Sequence, residues 1–412
     1  MKQLNVIDLF AGCGGLAEGF EQTGDYRTLA AVEWEKAPRD TLARRMAERW
    51  GMKDAEARVL RFDIQRTDEL FEGWLDDAKY GSSVGLDALV GKGTAVDIVI
   101  GGPPCQAYSI AGRIRDENGM KGDYRNYLFE CYLKVINRYE PKAFIFENVP
   151  GLLSARPDGH PIAERIVRAF DEAGWVVPAD LRTAQVDMSE FGVPQRRKRL
   201  IILGLSKKHF GEEQAKALMA RFYGEILPGM RRPVRSVREA IGDLPKLFPL
   251  SVPQGRNSHA RHRNVGVPSD HEPRFHNPRD IETFRMLADD LQSGAGRFAT
   301  TESLKQLYTE MTGNTSNIHK YHVLRWNEPS NLIPAHLHKD GLRHIHPDPD
   351  QARSLTVREA ARLQGFPDDF EFVGSRGDKY KMIGNAVPPQ FSKIVAEALG
   401  RLLKEAKTDA RS

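Results

Sequence analysis

Short apolar runs, each closed by a polar or glycine-containing corner, set the pattern of the first half of the chain. Val6 to Phe10, Thr28 to Val32, Val59 to Phe62, Val96 to Ile100, Ala143 to Phe146, Trp175 to Val177 and Leu200 to Leu203 carry no helical period. Such runs predict buried strands. Tyr127 to Tyr139 differs, because Leu128, Cys131, Tyr132, Val135 and Ile136 recur at helical spacing, which makes Cys131 a core residue. Ile162 to Phe170 reads as an amphipathic helix. Strands alternating with helices predict an α/β fold built on a parallel sheet. The polar stretch from Gln65 receives no role, and Lys79 to Thr94, rich in Gly, Ser and Asp, reads as a loop or insertion. Near the far end, Thr356 and Glu359 form a capping-box pattern for a helix that Gly365 and Pro367 terminate. Its arginines are expected to make structural pairs. A last helix opens at Val387-Pro388-Pro389, with Phe391, Ile394, Val395, Ala398, Leu399 and Leu402 on one face, and residues after Lys404 are expected to fray.

The corners after these strands carry the chemistry. Val6 to Phe10 runs into Ala11-Gly12-Cys13-Gly14-Gly15-Leu16, a strand–turn–helix corner whose glycines let a ligand approach the backbone. The second strand ends in Glu33-Trp34 and the third in Asp63-Ile64. An acidic residue at that distance from a glycine corner suits ribose hydroxyls, and Trp34 offers a flat face to a purine. The fourth strand ends in Gly101-Gly102-Pro103-Pro104-Cys105-Gln106. Two prolines stiffen the approach to Cys105, a candidate nucleophile at the sheet edge where ligands bind. The glycine-studded basic stretch from Ala107 to Arg125 reads as a lid able to contact phosphates. The fifth strand ends in Glu147-Asn148, a carboxyl and an amide suited to the edge of a pyrimidine. Gln195-Arg196-Arg197-Lys198-Arg199 leads into the last strand, and alternation sends Arg197 and Arg199 to one side.

Composition adds bounds. The chain has 412 residues, 40% of them hydrophobic and 28% charged, enough for two or three domains. A net charge of +4 is only a mild hint of a polyanionic partner. Three cysteines without metal-ligand spacing fit a reducing compartment. With no signal-peptide pattern and no apolar run long enough for a bilayer, a cytoplasmic protein without membrane association is expected.

The ordered motifs resemble those of the DNA (cytosine-5) methyltransferases. They are Asp8-Leu9-Phe10-Ala11-Gly12-Cys13-Gly14-Gly15, Pro103-Pro104-Cys105-Gln106, Glu147-Asn148-Val149, Gln195 to Arg199, Arg358 to Pro367, and Gly384-Asn385-Ala386-Val387-Pro388-Pro389. Tyr108 and Met188-Ser189-Glu190-Phe191 depart from the usual pattern without removing a catalytic group. The resemblance implies a Rossmann-like methyltransferase domain, a smaller target-recognition domain across a DNA cleft, and S-adenosylmethionine as cofactor. It also implies roles. Cys105 adds to cytosine C6, Glu147 protonates or hydrogen-bonds N3, Asn148 holds the base, and Arg199 with Arg197 serves the carbonyl oxygen and orients Glu147. Phe10, Ala11, Gly12, Gly14, Gly15 and Leu16 surround the methionine moiety, and Glu33 binds the ribose. Trp34 and Ile64 sandwich the adenine with Asp63 at its amino group, and Pro103, Leu128, Asn385 and Val387 complete the pocket. Reaction at C5 requires the base to leave the stack.

Ser206 to Asp350 matches no motif. Eleven of the twelve histidines lie there, and Arg231 to Arg263 holds eight Lys or Arg against two Asp or Glu. Such sequence suits phosphate contact and base reading. The expected division is a catalytic domain over 1–205, a target-recognition domain over 206–375 and a returning segment over 376–412. A zinc site on His336, His338, His344 and His346 is disfavoured by the absence of cysteines there. The expected partners are duplex DNA and a restriction endonuclease acting on the same site. Three other readings compete: a tRNA cytosine-5 methyltransferase, a non-catalytic DNA-binding regulator, and a nicotinamide oxidoreductase. The last leaves Cys105 and Glu147-Asn148 without a task.

Overall fold

The computed structural model describes residues 3–104, 128–156, 159–254, 257–259, 268–339 and 341–409. Cys105 and the expected lid at Ala107 to Arg125 lie outside the described residues.

Seven of the apolar runs form one sheet. Its strands are β1 (Leu4–Leu9), β2 (Tyr26–Glu33), β3 (Val59–Arg61), β4 (Ile98–Gly101), β5 (Ala143–Asn148), β6 (Trp175–Val176), β7 (Gln185–Asp187) and β8 (Lys198–Ser206). The order is β3-β2-β1-β4-β5-β8-β6, with β7 paired to β8. Neighbours from β3 to β5 run parallel, whereas β8 is antiparallel to β5, β6 and β7. Strands covered on both faces need apolar residues throughout. Val6, Ile7, Leu9, Ile98, Val99 and Ile100 are all fully buried. β7 has only three residues and no apolar run, so hydrophobic pattern did not predict it.

Register puts the chemistry-bearing corners on one edge. Leu9 pairs with Val32 and Gly101, Gly101 pairs with Phe146, and Glu33 pairs with Arg61. The carboxyl ends of β1, β2, β4 and β5 therefore lie side by side. Strand order reverses between β1 and β4, and a crevice opens outside such a switch point.

Helices α1 (Gly15–Glu21) and α2 (Lys36–Glu48) follow β1 and β2, and α3 (Leu128–Tyr139) and α4 (Ile162–Glu172) flank β5. Tyr132 of α3 is fully buried, and its hydroxyl donates to the sheet carbonyls at 3.0 and 3.1 Å from Val99 and Ile145. Cys131 beside it is half-buried against the same core.

The chain divides into two compact units: residues 1–192, 197–233 and 386–412, and residues 193–196 and 234–385. These boundaries differ from the expected ones at 205 and 375. Residues 206–233 stay with the first unit, because Tyr223 is tied to the last strand, accepting from the Leu203 N–H and donating to the Ile201 carbonyl. Residues 376–385 stay with the second unit, where Gly384 packs so closely on Pro334 and Ala335 that a Cβ would fall 2.3 Å from backbone atoms.

The second unit holds α5 (Pro278–Ser293), α6 (Thr301–Thr312), α7 (Val357–Leu363) and α8 (Arg376–Asn385). Phe284, Leu287, Leu307, Tyr321 and Ile345 form its core cluster. The capping box of α7 is present, and Glu359 also takes both terminal nitrogens of buried Arg353 at 2.7 Å. Arg358 is fully buried and donates to the Ser269 and Phe370 carbonyls, as a structural arginine should. His338 donates to the Ala335 carbonyl and His344 to that of Leu332. Burial pushes the pKa of His346 down to about 3. No group of three or more His, Cys, Asp or Glu among the described residues could hold a metal.

The last helix, α9 (Pro389–Asp409), packs on α1 in the first unit. The Ser392 hydroxyl donates to the Leu16 carbonyl, and the Tyr26 hydroxyl to that of Ala396. Gly19 makes the approach possible, since a Cβ there would lie 2.3 Å from the Lys393 nitrogen. The predicted apolar face holds, with Phe391, Ile394, Val395, Ala398, Leu399 and Leu402 at most 1% exposed. No helix among the described residues is long and apolar enough to cross a membrane.

Candidate active site

The glycine corner after β1 is left-handed at Phe10 (φ 56°), Gly12 (φ 57°) and Gly14 (φ 87°). A side chain added at Gly12 would meet no atom within 4 Å, so the loop borders open space. At Gly15 a Cβ would fall 2.3 Å from the Val387 carbonyl oxygen, so the corner and the start of α9 are in intimate contact. Gly15 and Val387, far apart in sequence, are thus brought together. Ala11 and Leu16 are buried along the same turn, and Phe10 is partly buried on the main core. Asn385 ends α8 and is exposed.

Glu33 ties the second strand to this corner. Its carboxylate accepts from the Gly12 N–H at 2.8 Å and from the Glu35 N–H at 2.8 Å. Burial pushes its pKa up to about 7, against the opposing effect of those two N–H groups. Trp34 next to it is 44% exposed, unusually open for a tryptophan. Asp63 and Ile64 follow β3, the neighbouring strand, with Asp63 bonded to Gln65 and Ile64 buried. Open space at Gly12, a buried carboxylate beside it and an exposed indole are chemically compatible with an adenosine-bearing sulfonium. Leu128 does not fit as plainly, because it is buried in the main core at the start of α3.

The second group of residues lies where β4 and β5 end. Asn148 is buried and its Oδ1 accepts from the Val149 N–H at 2.9 Å, which fixes the amide. Glu147 stands opposite Ile201 of β8, and its Oε1 receives Arg199 Nε at 3.0 Å with both side chains only 12% exposed. A Cβ at Gly102 would meet Glu147 Oε2 at 2.8 Å. The Glu147 carboxylate therefore lies against the segment that continues through buried Pro103 and half-buried Pro104 towards Cys105. A side chain at 102 would push the Glu147 carboxylate aside, a closeness the sequence did not reveal.

Arg197 is placed differently from the expected side-by-side pair. β8 starts at Lys198, so strand alternation does not extend to Arg197. Its side chain is 1% exposed and donates to the Ala386 carbonyl at 3.0 Å, one residue before Val387. Gln195 and Arg196 belong to the second unit. Gln195 is fully buried and bonds Gln364, the Leu363 carbonyl and the Ile333 N–H, while Arg196 pairs with Glu328. Sequence reading saw a basic run here and missed the buried glutamine.

The second unit has a cavity of about 820 Å³ lined by Arg238, Lys246, Gln292, Arg325, Trp326 and Asn327 among others. The Arg238 guanidinium lies 4.8 Å from the Trp326 ring centre.

The profile of C-5 cytosine-specific DNA methylases matches residues 4–401. The Type II methyltransferase M.Bpa9945I of Bacillus paralicheniformis is 34% identical, over 96% of this chain and 98% of its own length. The Type II methyltransferase M.AgeI of Thalassovita gelatinovora is 30% identical, over 96% and 99%. Among solved structures, a DNA modification methyltransferase encoded in an Escherichia coli prophage superposes with TM-score 0.63 at 22% identity, covering 98% of this chain and all of that one. A triple mutant of Spodoptera frugiperda DNMT2 superposes with TM-score 0.53 at 14% identity, covering 97% of this chain and all of that one. The fold is thus the Rossmann-like α/β fold of the methyltransferases. The chain belongs to the C-5 cytosine-specific DNA methylase family, and it is a DNA (cytosine-5) methyltransferase.

Proposed function

We propose that this enzyme methylates C5 of a cytosine flipped out of one specific duplex sequence, through a covalent bond between Cys105 and C6, with S-adenosylmethionine as donor. The observation that carries this reading is the Glu147 carboxylate, clamped by Arg199 and resting on Gly102 three residues before Cys105. Unaided, cytosine C5 is a poor nucleophile. Addition of the Cys105 thiolate to C6 forms the S–C6 bond and moves the ring electrons toward C5 and N3, leaving an enamine carbon at C5. Glu147 shares a proton with N3 as that charge develops, and Arg199 keeps its carboxylate in place. Asn148, held by its own backbone, presents an amide to the base. S-adenosylmethionine supplies an electrophilic methyl group when bound. Loss of the C5 proton to a base then restores the ring and expels the Cys105 thiolate.

Gly12, Gly14, Gly15 and Val387 would hold the methionine end of the cofactor, Glu33 the ribose, and Trp34, Asp63 and Ile64 the adenine. Arg197 acts through Ala386, steadying the strand of backbone that carries Val387. An ionised carboxylate is the stronger acceptor for ribose hydroxyls. With the Glu33 pKa near 7, cofactor affinity is expected to rise from pH 6 to 8 and to plateau above. Calorimetry across that range checks it, and in Glu33→Gln the pH dependence should vanish.

The second unit is proposed to read the DNA. Its cavity is lined by Arg238, Lys246, Arg325 and Arg353 alongside Glu328, Asp348, Asp350 and Glu359. Its amides Gln292, Asn327 and Gln351 beside Trp326 are of the kind that contact base edges. Relatives described as Type II methyltransferases support a place in restriction-modification, where methylation hides host sites from a partner nuclease.

The experiment is transfer of labelled methyl from S-adenosylmethionine to duplex DNA and to total tRNA in parallel, with bisulfite mapping of the DNA. One short recurring methylated site is the expected result, and exchanging residues 234–350 for those of a relative should change it. Label in tRNA alone would overturn the substrate, and DNA binding without label would favour a regulator.

A further inference from the structure

A small hairpin, Trp74–Asp77 paired with Gly81–Ser83, lies between β3 and β4 and belongs to none of the family's motifs. It is firmly built onto the end of β3. The Trp74 ring stacks on Phe62 with centres 3.8 Å apart, and Tyr80 meets Phe62 edge-on at 5.2 Å. Asp77 accepts from Arg66 and from the backbone N–H groups of Lys79 and Tyr80, while Arg61 donates to the Lys79 carbonyl. Phe62 directly precedes Asp63 and Ile64, so the same aromatic anchor that holds the hairpin holds the expected adenine corner.

The turn carries Lys79 to Trp34. Its ammonium lies 5.6 Å from the Trp34 ring centre and 4.8 Å from that of Tyr80. Among the described residues no carboxylate pairs with it, and the nearby Asp77 carboxylate pairs with Arg66 instead. An ammonium with three donors is thus held by two rings at the mouth of the adenosine site.

We propose that the hairpin is the outer wall of the adenosine pocket and that Lys79 is a cofactor-positioning residue, donating to a ring nitrogen of an adenine seated on Trp34. The inference rests on the S-adenosylmethionine reading above. Adenine presents an amino donor beside ring-nitrogen acceptors. A carboxylate at Asp63 with an ammonium at Lys79 supplies the complementary pair, which selects adenine over a base whose donors and acceptors are reversed.

The test is calorimetric binding of S-adenosylhomocysteine to the full chain, as wild type, Lys79→Met and Lys79→Arg. Because Lys79 is exposed, both variants should fold and melt like wild type. Lys79→Met should bind about ten-fold more weakly, the loss of one charge-assisted hydrogen bond, and Lys79→Arg should recover most of the affinity. In turnover, KM for S-adenosylmethionine should rise in Lys79→Met while kcat at saturation stays unchanged. Wild-type affinity in Lys79→Met would overturn the role of Lys79 and leave the cofactor reading intact. Failure of the wild type to bind S-adenosylhomocysteine would overturn both.

Discussion

Cys105→Ser should lower methyl transfer by about 10⁴-fold or more, as loss of a covalent nucleophile does, while DNA and cofactor still bind. Of the three thiols, the two that are described make poor nucleophiles. Cys13 is 2% exposed, and burial pushes its thiol far above the usual range. Cys131 is half-buried on α3, and burial raises its thiol as well. A thiol that resists ionisation is a poor nucleophile. Cys105 lies outside the described residues, and Gly102, three positions before it, lies against the Glu147 carboxylate. Single-turnover transfer, with binding of duplex DNA measured separately, checks the prediction. Residual methylation near the wild-type rate would transfer the nucleophile's role to another group.

Glu147→Gln is the second large effect. Glutamine keeps the shape and can still accept from Arg199, but it cannot exchange a proton with N3. The rate of the chemical step should fall about 10²- to 10⁴-fold, the range for a positioned acid–base group, with DNA affinity within a few-fold of wild type. Because Arg199 is paired with this carboxylate, and under the proposed mechanism acts partly through it, removing both should cost less than the product of the single losses. Full additivity in single-turnover rates would mean that the two side chains work independently.

Much of this site was legible because strand ends are marked by chemistry that the chain must put there. Glycine after β1, acids at the end of β2 and just after β3, and Glu147-Asn148 at the end of β5 each follow an apolar run, and parallel register then sets them on one edge. What failed is equally specific. Alternation was carried one residue too far into Arg197, which precedes β8 and serves Ala386. The contact between Gly102 and Glu147 depends on tertiary closeness that no local pattern encodes. In the middle region, signals were present but not read. Asn277 caps α5 with Pro278 at its first turn and Gly294 just past its end, and Thr300 caps α6. The basic composition of that region drew attention from its helix boundaries.

The packing of α9 on α1 has a bearing on how the protein comes into being. Domains tend to fold as they leave the ribosome, amino-terminal parts first. Here the strands of the sheet and the Glu147–Arg199 pair are all made before residue 234, yet Val387, which abuts Gly15, and Ser392, which bonds Leu16, come after the whole second unit. A nascent chain halted at residue 385 therefore lacks the part of the first unit that covers α1 and abuts the glycine corner. On the proposed reading of the cofactor site, translation of the final helix is what completes it, and a product interrupted at residue 385 should not methylate DNA.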